Sequence, residues 1–154
     1  MTPTKACPVV VRRGPAGDQL LVFRHPEAGV QLVKGTIERG EDPAAAARRE
    51  LAEESGIRDA CVIRNLGTWD AGYERQVWAF FEMNAADVLP QEWTHRTNDA
   101  GGLEFSFFWH PFSIRPSNEW HRVYVDAFNH VARYFAPSGK ERCASRLTSS
   151  CSRP

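Results

Sequence analysis

The sequence comprises 154 residues, with 19 lysines and arginines against 19 aspartates and glutamates, so its formal net charge is zero. The length suits one domain with a substantial core, and 42% hydrophobic and 25% charged residues are typical of globular rather than disordered proteins. A balanced charge argues against a protein dedicated to long nucleic acids, which is usually basic. No apolar run approaches the roughly 18–20 residues that cross a bilayer, and the N-terminal segment has no cleavage signal. We therefore expect a cytoplasmic protein with no membrane partner.

Segments rich in β-branched and apolar residues predict six strands, which cover residues 9–13, 19–25, 30–34, 61–69, 76–83 and 103–109. The first helix has clear end signals, because Asp42 is a good N-cap residue, Pro43 suits the first helical position and Gly56 suits the C-cap. A second helix is predicted over about residues 118–135, where apolar side chains recur at three- and four-residue steps. Residues 91–102 are expected to form a flexible loop.

The composition changes after Pro137, where serines and basic residues become frequent. We expect a single domain over residues 1–137 and a flexible C-terminal tail over residues 138–154. The sequence contains no internal repeat and no heptad run, which excludes a repeat architecture or a coiled coil.

Six acidic side chains crowd into residues 38–54, just before and within the first predicted helix. Glu50, Glu53 and Glu54 are spaced i, i+3 and i+4, so they project from one helix face. Like charges at these spacings destabilise a helix, and they lie near its C-terminus, where the macrodipole favours cations. A hard divalent cation would compensate for both effects, because carboxylate oxygens are its preferred ligands. The alternative is a solvated acidic face balanced by the two adjacent arginines.

The residues around this acidic helix follow a defined spacing. The positions that matter are Gly35, Glu41, Arg49, Glu50, Leu51, Glu53, Glu54, Gly56 and Ile57. At every defining position this segment resembles the signature box of the Nudix hydrolases. The resemblance implies an α/β fold, a Nudix-like α/β/α sandwich in which a mixed β-sheet lies between the box helix and the C-terminal helix. It also implies an enzyme, a pyrophosphohydrolase that cleaves a nucleoside diphosphate linked to another group.

By this resemblance, Glu50, Glu53 and Glu54 bind Mg²⁺, or Mn²⁺ in its place. A bound cation reverses the sign of the acidic site, so that an anionic pyrophosphate can approach. It also polarises phosphoryl oxygens and lowers the pKa of the attacking water. The solvated acidic face thus becomes the weaker interpretation.

Four further box residues are expected to shape the site. The resemblance implies an ion pair between Arg49 and Glu41, which supports catalysis by fixing the loop against the helix. Gly35 is expected to adopt an unusual backbone conformation in the loop that enters the site. Gly56 is expected to end the helix.

The reaction also needs a general base. One box glutamate can serve, with Glu53 our choice, or an acid can come from a later loop, as in other family members. Glu104 is the first choice among these later acids, because it precedes an aromatic strand at a position where the family often carries an acid. The remaining candidates are Glu92, Asp99, His95 and His110.

Two residues are expected to bind substrate. Lys34 directly precedes the box and is predicted to touch a phosphate, and Tyr73 is predicted to stack on a nucleobase. A tyrosine at about this distance after the box is common in relatives that cleave dinucleoside polyphosphates. We therefore expect a nucleotide small molecule, with dinucleoside polyphosphates ahead of nucleoside triphosphates and triphosphorylated RNA ends. The alternative is a nucleotide-sensing module with the same fold and no turnover, and the resemblance leaves a homodimer open.

Overall fold

The computed structural model of the protein describes residues 1–98 and 101–135. The elements in chain order are β1 (Lys5–Gly14), β2 (Gly17–His25), β3 (Gly29–Gln31), β4 (Gly35–Thr36), α1 (Pro43–Ser55), β5 (Ala60–Asp70), β6 (Val77–Ala85), β7 (Trp93–Arg96), β8 (Glu104–Pro111) and α2 (Arg122–Ala132). Within these ranges, no helix is both long and apolar enough to span a membrane. Asp99 and the predicted tail over 138–154 lie outside the described residues.

The strands form one mixed sheet in the order β5-β6-β1-β2-β8-β7, while β3 pairs with β2 and β4 pairs with β1. The pairing of β1 with β6 is parallel, and the other described pairs are antiparallel. The first part of β1 pairs with β6, and its last residues, from Val11 to Gly14, pair with β2. The two halves of the sheet therefore diverge along β1.

Alternate strand residues point to opposite faces, and each face carries its own buried cluster. The cluster on one face contains Ala6, Leu21, Phe23, Phe81, Phe105 and Phe107, together with Ala46, Ala47 and Leu51 of α1. The cluster on the other face contains Val9, Leu20, Val22, Trp78 and Phe80, together with Tyr124, Ala127, Phe128 and Val131 of α2. The sheet thus lies between two helices, which confirms the predicted α/β/α sandwich.

The predicted signals at both ends of α1 are confirmed. The Asp42 side chain accepts a hydrogen bond of 3.1 Å from the Ala45 backbone N–H, and Pro43 begins the helix. At the other end Gly56 has a φ of 80°, and its N–H donates to the Ala52 carbonyl at 3.0 Å. These caps fix the register of the helix and hence the direction of its acidic face.

Three predicted segments differ from the structure. The predicted strand over 30–34 ends at Gln31, because β3 pairs with β2 whereas β4 pairs with β1, and the chain crosses between them over residues 32–34. The segment 91–102, expected to be a flexible loop, contains β7, which pairs with β8. Only four residues of β7 alternate, too few to distinguish a strand by periodicity. The second helix is also shorter than predicted, because His121 caps it and α2 begins at Arg122.

Candidate functional site

The acidic residues of α1 are positioned by close packing of the opposite helix face. Ala46 and Ala47 are fully buried and Leu51 nearly so, in the cluster that α1 shares with the sheet. Small side chains at two of these positions let the helix approach the strands closely. Glu50, Glu53 and Glu54 are therefore carried by a rigid element.

Glu50 packs against the loop that precedes the helix. Glutamate side chains usually face solvent, yet Glu50 is only 7% exposed. A β-carbon at Gly35 would overlap the carboxylate of Glu50. Gly35 lies in the short strand β4 and is not among the residues with positive φ, so the predicted unusual backbone conformation is wrong. Glycine is required here because it leaves room for a buried carboxylate.

Arg49 joins the loop to the helix through five hydrogen bonds. Its Nε and Nη2 donate to the two carboxylate oxygens of Glu41, each at 2.8 Å, so the predicted ion pair is present and bidentate. Nη2 also donates to the Thr36 carbonyl at 2.9 Å. Nη1 donates to Glu50 at 2.8 Å and to Glu53 at 3.2 Å, so these two carboxylates face each other across one nitrogen.

The charges in this network reinforce one another. The hydrogen bonds from Arg49, helped by the backbone N–H of Glu38, lower the pKa of the Glu41 carboxyl to about 2. The hydrogen bond to Glu41 and, to a smaller extent, the hydrogen bond to Glu50 raise the pKa of the Arg49 guanidinium. The pair therefore stays ionised at any pH at which a pyrophosphate is a polyanion.

Glu53 and Glu54 differ in environment. The Glu53 side chain is 48% exposed, whereas Glu54 is half-buried. The charge of Glu54 acts on Lys34 and Tyr124: it opposes the lowering of the Lys34 pKa, and after burial it is the second cause of the raised Tyr124 pKa. Glu54 thus lies close enough to Lys34 and Tyr124 for its charge to act on both.

The donor set fits a hard divalent cation in its chemistry. Three carboxylates lie on one helix face, and a fourth, Glu41, is already neutralised by Arg49. As they stand, no three or more His, Cys, Asp or Glu side chains within 1–98 and 101–135 form a group that could enclose a metal ion. This arrangement is compatible with Mg²⁺, which protein sites usually hold by one or two carboxylates, with waters and substrate phosphates completing the octahedron.

Lys34 lies in a cage of aromatic and amide groups. Its Nζ donates to Gln76 Oε1 at 3.2 Å and lies 4.7 Å from the Trp78 ring centroid and 5.7 Å from that of Tyr124. Burial and the nearby charge of Lys5 lower the pKa of Lys34, while Glu54 acts in the opposite direction. The cage holds a cation close to the acidic helix face.

Sequence reasoning missed Gln76 and Tyr124 as neighbours of Lys34. Gln76 Oε1 also accepts from Trp78 Nε1 at 2.9 Å, so one amide oxygen orients both side chains. No local sequence pattern predicts this contact, because Gln76 and Lys34 are 42 positions apart.

Tyr73 lies at the turn between β5 and β6 and is 37% exposed. Its ring meets the His121 ring edge-on, with centroids 5.3 Å apart. A hydrogen bond to Glu74 and the charge of that carboxylate raise the Tyr73 pKa. Gln76 links the two residues, because its backbone N–H donates to the Tyr73 carbonyl and its side chain accepts from Lys34.

The candidate bases are placed differently. Glu104 is exposed at the start of β8, opposite Arg96 of β7. The next residue, Phe105, packs in the α1-side cluster, so Glu104 points to the other face of the sheet. Glu92 is exposed just before β7, and Asp99 lies outside the described residues. His110 contacts the Ile114 carbonyl at 2.8 Å and packs edge-on against Trp120.

His95 is a neighbour of the acidic helix. Its Nε2 lies 3.1 Å from the backbone carbonyl of Glu53, at the C-terminal turn of α1. Of the candidates outside the box, His95 and Lys34 are therefore the ones whose contacts place them beside this helix.

Comparison with known proteins gives a family match over most of the chain. The family model for the NUDIX domain matches residues 3–128. An octanoyltransferase of Myxococcus xanthus is 51% identical over 57 residues, which are 36% of this chain and 16% of that protein. An RNA pyrophosphohydrolase of Bartonella bacilliformis is 40% identical over 57 residues, 34% of each chain. The chain therefore spans 34% or less of the length of these two relatives.

Longer matches are weaker in identity. An RNA pyrophosphohydrolase of Bartonella henselae is 27% identical over 126 residues, which cover 79% of this chain and 69% of that one. Among solved structures, a UDP-X diphosphatase aligns over 87% of this chain and 64% of its own, with a TM-score of 0.59 and 17% identity. At 17% identity, this structural similarity supports the fold alone.

Proposed function

The chain belongs to the NUDIX domain family, and on that premise we propose that it hydrolyses a pyrophosphate linkage in a nucleoside diphosphate derivative with the help of a divalent cation. The observation that carries the proposal is the Arg49 network. It locks Glu41 to the helix and holds the Glu50 and Glu53 carboxylates on one side of Arg49. Like charges at these spacings destabilise the helix, and such a destabilising pattern is expected where the carboxylates serve a function.

In this proposal Glu50, Glu53 and Glu54 hold Mg²⁺, with Mn²⁺ as a substitute. The cation supplies charge neutralisation on the phosphoryl oxygens and a lowered pKa for a bound water. Glu50 is held by Gly35 and Arg49, so its carboxylate is oriented before any ligand arrives. Glu53 is the most exposed of the three and is our choice for accepting the proton of the attacking water. Glu104 remains the alternative base, although it points to the opposite sheet face.

The proposed substrate class rests on Lys34 and Tyr73. Lys34 presents a cation beside the acidic turn and is proposed to neutralise a phosphate. Tyr73 offers an exposed ring for stacking on a nucleobase. This combination supports a nucleotide small molecule, either a dinucleoside polyphosphate or a nucleoside triphosphate.

A second candidate substrate is the 5′-triphosphorylated end of RNA. The names of the Bartonella relatives, both RNA pyrophosphohydrolases, favour it. The zero net charge of the chain argues against extended contacts with a long RNA backbone. The remaining alternative is a module that binds a nucleotide without turnover.

A hydrolysis screen tests these proposals. The panel contains diadenosine tetraphosphate, nucleoside triphosphates, ADP-ribose, nucleotide sugars and triphosphorylated RNA, each with Mg²⁺ and with EDTA. We expect cleavage of one class that requires Mg²⁺, with products that reveal which phosphorus is attacked. Nucleotide binding by calorimetry without any cleavage would favour the sensing module. Light scattering on the same sample reports whether the enzyme is a homodimer.

A further inference from the structure

Negative charge accumulates at the C-terminal turn of α1. Its carbonyl groups form the negative end of the helix dipole, and Glu53 and Glu54 add two negative charges to the same turn. The last turn contains no basic residue that would offset these charges. The carbonyls that the helix leaves unused must therefore find hydrogen-bond donors elsewhere.

Part of the need is met locally. The Ser55 hydroxyl donates to the Leu51 carbonyl at 2.5 Å, and the Gly56 N–H donates to the Ala52 carbonyl at 3.0 Å. Among the carbonyls of this turn, those of Glu53 and Ser55 receive their donors from outside the helix.

Both outside donors come from β7. The indole Nε1–H of Trp93 donates to the Ser55 carbonyl at 3.0 Å. The His95 Nε2 lies 3.1 Å from the Glu53 carbonyl, and since a carbonyl oxygen only accepts, this nitrogen carries the hydrogen. Trp93 and His95 are two positions apart on one strand, so both project from the face that meets α1.

Packing fixes both rings in place. The Trp93 ring stacks on Phe107 of β8 with centroids 5.1 Å apart and an interplanar angle of 10°, directly across the strand pair. The His95 ring lies over the C-cap glycine, where a β-carbon at Gly56 would come within 2.9 Å of its Nδ1. Gly56 therefore serves two purposes, a left-handed C-cap and space for His95.

We propose that Trp93 and His95 form a clamp that positions the carboxylates of the last turn of α1 for the cation. The clamp acts through the backbone: it holds the carbonyls of Glu53 and Ser55, between which Glu54 lies. His95 is thus a positioning residue rather than a general base, because its Nε2–H is used by the helix. This inference rests on the proposed function, in which Glu53 and Glu54 hold the divalent cation.

The test compares wild type with H95L, H95Q, W93F and the control T94A, whose side chain is exposed on the opposite face of β7. Mn²⁺ binding to the substrate-free protein is measured by calorimetry, and kcat and KM are measured at saturating Mg²⁺. We expect H95L and W93F each to weaken Mn²⁺ binding about 5–10-fold and to lower kcat by a similar factor, with KM changed less than about twofold. H95Q, which keeps an N–H at nearly the same reach, should recover most of the loss.

The outcomes separate the clamp from the metal site. Wild-type Mn²⁺ affinity in H95L, together with weakened binding in E53Q and E54Q, would overturn the clamp and leave the metal site intact. Unchanged binding in E53Q and E54Q would overturn the metal site and the clamp with it. An equal loss in H95Q and H95L would also overturn the clamp, because the hydrogen bond would then be irrelevant. Thermal unfolding of each variant identifies any that fails to fold. If W93F fails to fold, the comparison of Mn²⁺ binding between H95L and H95Q decides whether the clamp exists.

Discussion

The carboxylate of Glu50 lies directly against the Cα of Gly35, so a side chain of any size at position 35 would collide with it. This contact joins β4 to the acidic face of α1 at the point where Arg49 also bridges the two. The loop before the helix is therefore part of the site, because it determines where a buried carboxylate can lie.

Replacing Gly35 with alanine should displace Glu50. We expect the G35A variant to lose at least about 100-fold in kcat, because one oriented carboxylate is lost, and to be destabilised by about 1–3 kcal/mol through overpacking. Turnover and chemical denaturation measure the two effects. The matched control is G40A, where a β-carbon meets open space but φ is +77°, so it should lose stability and keep its turnover. Equal turnover losses in both variants would contradict the role of the Gly35–Glu50 contact.

Glu53 and Glu54 can be tested by changes that keep their shape. We expect E53Q and E54Q each to lower turnover at least about 100-fold at saturating Mg²⁺, because a neutral amide binds the cation poorly. The fold should persist, as judged by circular dichroism. E38Q is the control, since Glu38 is an exposed acid that precedes the same helix. Near-wild-type turnover in both E53Q and E54Q would disprove the metal assignment.

Lys34 is expected to act on substrate rather than on the fold. The K34M variant keeps an unbranched side chain of similar length but loses the charge that lies over the Trp78 ring. We expect kcat/KM to fall about 10–100-fold, the usual cost of a lost charge-assisted contact. K5M changes the net charge equally, and Lys5 contacts Thr36 at 2.7 Å instead, so it serves as the control. A similar loss in both variants would indicate a general electrostatic effect.

We expect His130 to make the stability of the fold depend on pH. Burial beside Trp69 and Phe80 lowers its pKa below the usual value of about 6.5, with the charge of Arg133 acting in the same direction. The folded state therefore binds this proton less readily than the unfolded state, and stability falls as the pH drops below about 6.5. In H130F this contribution is removed, so the melting temperature should fall less than in wild type between about pH 7.5 and pH 5. An identical acid-side decrease in both proteins would show that His130 does not contribute.

The parts of this site that could be predicted depend on nearby residues. Asp42, Pro43 and Gly56 act within one turn of the helix ends, and the Arg49–Glu41 pair spans eight positions. The role of Gly35 could not be predicted, because only the docking of α1 shows that a carboxylate fills the space.

Contacts between distant segments were beyond local patterns. The strand β7 is stabilised by the Trp93–Phe107 stack and by its bonds to α1, neither of which a four-residue alternation reveals. Which face Glu104 occupies likewise depends on the register of β8 against its neighbours.

The parallel pairing of β1 with β6 has a consequence for how the protein folds. It joins residues such as Lys5 and Trp78, which are about 70 positions apart, and the whole of α1 lies in the loop between them. Closing so long a loop costs conformational entropy before the contacts between the two strands can form, so this step is expected to be slow. Helix α1 and its caps can form early, whereas the Lys34–Trp78 contact exists only after the two strands have met. The chemical signature lies in a short stretch of sequence, but the site is complete only after strands about 70 positions apart have paired.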